Sequence, residues 1–202
     1  MENNNWEINL DQWVLSDGNY SDFESGQPVQ FALEITTPYH SLSLVNASHR
    51  DCQLLGKAFY RVSGEIIYTN NSLWVIDFGL CGYYEADTLA VQAEVGQWVS
   101  GEIKLGVDSF FYFREYNRLV QVPPLIYTWQ VNRIIRQNSF FTYHKERSGL
   151  IVGTKDETKA KLDEIETTKK GMNEKPEPPY RTTNYYLYCN KLDSLPEYKK
   201  AR

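Results

Sequence analysis

Asp77 sits inside LWVIDFGL, with four apolar residues before it and an apolar run after. In an alternating strand it shares a face with Leu73 and Val75, so its carboxylate must be paired, hydrogen-bonded or protonated. A protonated carboxyl at that position could act as a general acid or base, the centre of a small hydrolase or a ligand-binding protein. It could equally accept backbone amides beside Gly79 or pair with an arginine. Glu65 and Glu102 are a second carboxylate pair, equivalent in two copies of the pentapeptide VSGEI at 62–66 and 99–103. Glycoside hydrolysis needs two carboxylates at a fixed separation. Alternation, however, places each Glu beside Ser63 or Ser100 on the solvent face, away from Val62 and Ile66 or Val99 and Ile103. His49 and Cys52 have a spacing that could present two metal ligands, but a zinc site needs three or four. His40 and His144 stand alone, so no metal and no cofactor is expected. The phosphate-loop, dinucleotide, zincin, CxxC and GxSxG signatures do not occur.

A third constellation is a surface. FFYFREYNR carries Tyr112, Arg114, Tyr116 and Arg118, and VNRIIR adds Arg133 and Arg136. Aromatics beside arginine on a sheet hold single-stranded nucleic acid by stacking. They also form the hot spots of protein interfaces. The alternative is that the aromatics alternate into the core while the arginines balance an acidic body. Residues 1–144 hold 8 Lys/Arg against 16 Asp/Glu, and residues 145–202 hold 13 against 10. An acidic body argues against a dedicated nucleic-acid binder, which needs a basic footprint.

The elements that must position these residues read mostly as β. GQPVQFALEI alternates Val29, Phe31, Leu33 and Ile35 against Gln30, Ala32 and Glu34, a half-buried strand. Trp13, Val14 and Leu15 suit a short strand. Residues 36–56 read as irregular, with a helical turn in ASHRDCQLL. Aligned without gaps, VSGEIIYTNNSLWVIDFG over VSGEIKLGVDSFFYFREY gives strand, turn and strand twice, so two hairpins are expected. Gly64 and Gly101 fall mid-strand, at corresponding bend or bulge positions. NRLVQVPP is a loop, LIYTWQV turns Leu125, Tyr127, Trp129 and Val131 inward, and SFFTY is a further strand. GTKDETKAKLDEIETTKKGM reads as a charged surface helix over about 155–170, with a Thr154/Glu157 capping box and Glu157→Lys161 and Glu166→Lys170 pairs. A proline-rich linker at 174–180 then leads to a strand at about 184–192.

The expected architecture is therefore a strongly bent antiparallel sheet or small barrel over 1–144, with a C-terminal extension over 145–202 packing on the same domain. The strand–turn–strand pattern over about 60–135 resembles the opening hairpins of small barrels such as OB-folds. That likeness rests on patterning and brings no diagnostic residue. The DFG at 77–79 lacks the partners that would make it a kinase motif.

MENNNWEINL has neither a basic region nor an apolar run, so no secretory signal is read there. No stretch approaches 18 consecutive apolar residues, so no membrane partner is expected. Three widely spaced cysteines, Cys52, Cys81 and Cys189, suit reduced thiols in the cytoplasm. The functional expectation is a non-catalytic cytosolic interaction protein whose partner is a protein, itself or another, with an immunity- or inhibitor-like role compatible. The alternatives are an OB-like single-stranded nucleic-acid binder and a hydrolase or ligand-binding protein centred on Asp77.

Overall fold

The computed structural model describes residues 5–38, 42–46, 48–70, 73–85, 93–145, 151–168 and 181–192, with the backbone alone at 140–144, 151–159 and 181–182. The expected linker at 174–180 lies outside these residues. In chain order the elements are β1 (Trp6–Asp11), α1 (Gln12–Ser16), β2 (Pro28–Thr36), β3 (Ser43–Val45), β4 (Asp51–Gly56), β5 (Phe59–Thr69) and β6 (Leu73–Asp77). They continue with β7 (Cys81–Glu85), β8 (Trp98–Val107), α2 (Phe111–Arg114), a 3-10 turn (Tyr116–Arg118), β9 (Ile126–Lys145), β10 (Ile151–Ile165) and β11 (Arg181–Lys191).

The protein is mostly β, built on a closed eight-stranded mixed barrel, as the alternation predicts. The ring runs β9–β11–β1–β8–β5–β6–β7–β2 and returns to β9, and β2 and β8 also pair directly over 33–36 and 104–107. An OB-fold barrel has five strands. Most pairings are antiparallel; β2–β7 and the single bridge Asn9↔Gly106 between β1 and β8 are parallel. Strand alternation fills the interior with Ile8, Leu10, Leu33, Ile35, Leu105, Val107 and Trp129, all at most 3% exposed. Phe31 stacks on Trp129 with ring centroids 5.3 Å apart. A second apolar cluster lies on the other face of β2, where Ala32, Leu73, Val75 and Tyr83 pack under Tyr112, Leu125 and Ile126.

The two VSGEI copies are neighbours: β5 and β8 pair antiparallel with Val62↔Gly101, Ser63↔Ser100 and Gly64↔Val99. The first copy opens a hairpin, β5–β6. The second does not, because FFYF forms α2 rather than a strand. The Asp108 carboxylate accepts the Tyr112 N–H at 3.1 Å, and Phe110 turns into the left-handed region at φ 81°. These local contacts start a helical turn where aromatic content alone predicts a strand. Gly64 marks the point where one neighbour of β5 changes, from β4 up to Ser63 to β6 from Glu65. The bulge in β5–β6 lies further on, between Ile66 and Tyr68.

Three other expectations are corrected. Trp13–Val14–Leu15 is the helical turn α1, because pairing of β1 with β11 ends at Asp11↔Asn184 and the chain must turn. Residues 36–56 hold two strands, β3 and β4, and the described part of ASHRDCQLL, residues 48–55, runs into β4 without a helical turn. The helix expected at 155–170 is strand β10, paired along the twenty-residue β9, and Thr154 lies opposite Thr142 rather than capping a helix. Its charges pair across strands: Arg136 Nη2 lies 3.4 Å from Asp163, and Arg133 Nε lies 2.8 Å from Glu164. An exposed segment with a thin apolar stripe has little tertiary packing to hold a helix, so the open edge of β9 decides its state. The expected final strand is β11, seated between β9 and β1.

Candidate functional site

Asp77 closes β6. Its Oδ1 accepts the Gly79 N–H at 3.0 Å, and its Oδ2 lies 2.9 Å from Arg50 Nη2. The same guanidinium reaches Glu65 at 3.5 Å, while Glu102 pairs with Arg61 at 2.8 Å. The two repeated glutamates thus serve separate surface ion pairs. His49 is exposed and the Cys52 thiol, pushed up to about 12 by burial and then by Asp51, is no metal-ready thiolate. No group of three His, Cys, Asp or Glu that could hold a metal occurs among the described residues. His40 lies outside them, as does the side chain of His144.

The expected arginine–aromatic surface is not brought together as one platform. Tyr112 is 1% exposed; its hydroxyl donates to the Pro123 carbonyl and accepts the Leu125 N–H, each at 3.0 Å, so it is core. Arg114 leans over the Phe111 ring and pairs with Glu115 at 2.7 Å. The Tyr116 hydroxyl donates to Glu85, and Arg118 is exposed at the end of the 3-10 turn. Arg133 and Arg136 stand on β9 against the β10 carboxylates, with Arg133 over the Tyr188 ring.

A different set of polar residues converges where β1, β8 and β2 meet. Along these strands Ile8 and Leu10, Leu105 and Val107, and Leu33 and Ile35 point inward. The alternate residues Asn9 and Asp11, Lys104 and Gly106, and Glu34 and Thr36 therefore share the outer face. Register sets Asn9 opposite Gly106 and Gly106 opposite Glu34, so one row reads Asn9–Gly106–Glu34. Gly106 has no side chain, and the gap is a recess of about 70 Å³. Helix α1 follows β1 directly and sets Trp13, 54% exposed, at its edge.

The recess presents acceptors. Asn9 is 4% exposed; its amide donates to Asp11 at 2.9 Å, and its Oδ1 has no partner. Glu34 receives the Ser109 N–H at 3.4 Å. Burial, then the nearby Asp108 charge, pushes the Glu34 carboxyl up to about 7, against the Ser109 hydrogen bonds. Among the described residues Lys104 is the one cation of the lining, and its ammonium lies 5.9 Å from the centre of the Phe59 ring.

Behind Glu34 lies wholly buried Asp108, whose Oδ1 accepts the Tyr83 hydroxyl at 2.6 Å. Burial raises its carboxyl to about 6, offset by the Tyr83 hydroxyl and backbone amides. Desolvation and these two carboxylates also raise the Tyr20 phenol. Two carboxyl groups with raised proton affinity thus sit together, Glu34 in the lining of the recess and Asp108 beside it. A wider cleft of about 360 Å³ beside β3 is lined, among the described residues, by Leu44, Val45, Asn46, Gly96, Gln97 and Trp98, none of them ionisable.

Alternation in the sequence places Glu34 opposite the core face, which is the only local hint of the recess. Asn9, Asp11 and Gly106 join it through long-range register, including a parallel bridge that no local pattern signals. Compared with models of protein families, with curated proteins and with solved structures, the chain has no significant match.

Proposed function

We propose that this chain is a non-catalytic interaction protein that docks a protein partner on the β1–β8–β2 face of its barrel. The observation that carries the reading is the exposed Trp13 at the edge of a polar recess. A large aromatic left half in solvent beside buried, underused acceptors is the composition of an interface anchor. The acidic balance of residues 1–144 points to a basic partner, with an inhibitor- or immunity-like role as one form of this. A reducing cytoplasmic setting suits the three unpaired thiols, of which Cys52 and Cys81 are raised by burial to about 12 and about 11. No helix of the described residues is long and apolar enough to cross a membrane.

The reading is tested on arrays of immobilised basic, neutral and acidic peptides. Wild type should retain a basic subset that Trp13→Ala loses and the remote exposed variant Val120→Ala keeps. An unchanged pattern with Trp13→Ala would remove the binding face from this site.

Self-association is a second reading, favoured by one observation. Strand β4 ends the strand order, and Leu54 and Leu55 on it are 39% and 42% exposed. Among the described residues no strand covers the outer edge of β4, and such an apolar edge can add the same strand of a second copy. Sedimentation equilibrium should then show a dimer that Leu55→Lys dissociates; a monomer at high concentration excludes it.

A further inference from the structure

We infer that the recess between Asn9, Gly106 and Glu34 is a binding site for a guanidinium group, supplied by an arginine side chain of the partner. The inference deepens the reading that Trp13 marks the docking face, and it rests on that reading. Four observations carry it. The lining includes three residues with oxygen acceptors, Asn9 and Asp11 on one side of Gly106 and Glu34 on the other. Asn9 Oδ1 is buried without a partner, a condition native structures rarely leave uncompensated. The volume of about 70 Å³ suits a side-chain head group rather than a larger ligand. Trp13 at the edge supplies an aromatic face, to which a cation is attracted through the ring quadrupole.

Arginine fits this geometry better than lysine. Its planar head carries five donors in a fixed fork, which can meet several acceptors at once while stacking on an indole. Lys104 is the cation among the described lining residues, and its ammonium lies 5.9 Å from the centre of the Phe59 ring. Gly106 is what keeps the notch open: an added Cβ there would meet nothing nearer than 3.8 Å, so a side chain at this position has room to start into the recess.

The test is calorimetric titration of the full chain with N-acetyl-arginine methylamide, its neutral isostere N-acetyl-citrulline methylamide, and N-acetyl-lysine methylamide. Arginine should bind at least tenfold more tightly than citrulline and more tightly than lysine. Gly106→Val should abolish arginine binding, with its circular dichroism spectrum and urea midpoint showing that the variant is folded. Glu34→Gln should weaken arginine binding about tenfold while leaving citrulline unchanged. Equal binding of arginine and citrulline, or unchanged affinity in folded Gly106→Val, overturns the inference. If either occurs while Trp13→Ala still loses the peptide subset, the docking face stands and only the guanidinium site falls.

Discussion

Ser63 and Ser100 face each other across β5 and β8, so the two VSGEI copies lie side by side in opposite directions. The Ser100 hydroxyl donates to the Val62 carbonyl at 2.9 Å, tying one copy to the other. What repeats is therefore one strand pair inside the barrel wall. It neither brings Glu65 and Glu102 together nor makes two hairpins.

Gly64 is held by close packing at this pair. A Cβ there would lie 2.8 Å from Ile76 Cγ2 and 2.9 Å from the Asp77 carbonyl oxygen. Because the second contact is backbone, Gly64→Ala should destabilise the fold by about 1–3 kcal/mol. Gly106→Ala, with its open surroundings, should cost far less. Urea denaturation midpoints of the two variants check the contrast.

The β4–β5 turn places Lys57 at φ 54° and Ala58 at φ 61°, a left-handed pair normally given to Asn-Gly. Glu7, 6% exposed, holds it by accepting the Ala58 N–H at 3.1 Å. Glu7→Ala should cost about 1–3 kcal/mol, the penalty of an orphaned buried donor. Lys57→Asn should stabilise by up to about 1 kcal/mol, since Asn tolerates this conformation better. Thermal and urea unfolding of both variants test the opposite signs.

Glu34 makes stability fall as pH rises. Its carboxyl binds a proton more tightly in the folded protein, at about 7, than at its ordinary 4.5. Between those values the native state holds more protons than the unfolded chain, so the stabilisation present below about 4.5 is lost by about 7. Asp108 acts in the same direction, from 3.8 to about 6. The groups facing Glu34 are Asp108 and Ser109 after β8, Glu85 on β7, and Asp11 and Lys104 across the recess. Glu34→Gln should flatten the decline in urea midpoint between pH 5 and pH 8; an unchanged slope contradicts this assignment.

Asp77→Asn should leave the barrel intact and cost about 1 kcal/mol or less, because Arg50 is 47% exposed and its ion pair is screened. The asparagine retains an acceptor for the Gly79 N–H. A loss of several kcal/mol, read by urea unfolding, would require a buried role that the Arg50 pairing does not provide.

Much of the barrel was legible because its strands alternate. Phe31, Leu33 and Ile35, then Tyr127, Trp129 and Val131, all reach the interior as their spacing predicts. The β5–β6 hairpin announced itself through TNNS, whereas the β4–β5 turn could not, since Lys57-Ala58 carries no turn chemistry and depends on Glu7 from a distant strand. Strand β10 imitated a helix because Glu157/Lys161 and Glu166/Lys170 have i,i+4 spacing, whereas the pairs of Asp163 with Arg136 and Glu164 with Arg133 depend on β9, which local sequence does not reveal. The aromatic–arginine run misled because Tyr112 is drawn into the core by Asp108, Pro123 and Leu125. The recess was hidden for a related reason. Each of its strands shows an ordinary polar outer face, and the site exists only once register places Gly106 between Asn9 and Glu34.

The most direct measurement is titration calorimetry of N-acetyl-arginine methylamide at pH 7 in two buffers of different ionisation enthalpy. A carboxyl with a midpoint of about 7 is about half protonated there, so a cation docking against Glu34 should expel up to about half a proton. The account predicts saturable binding with proton release that disappears in Glu34→Gln. No binding, or binding with no proton release, contradicts it.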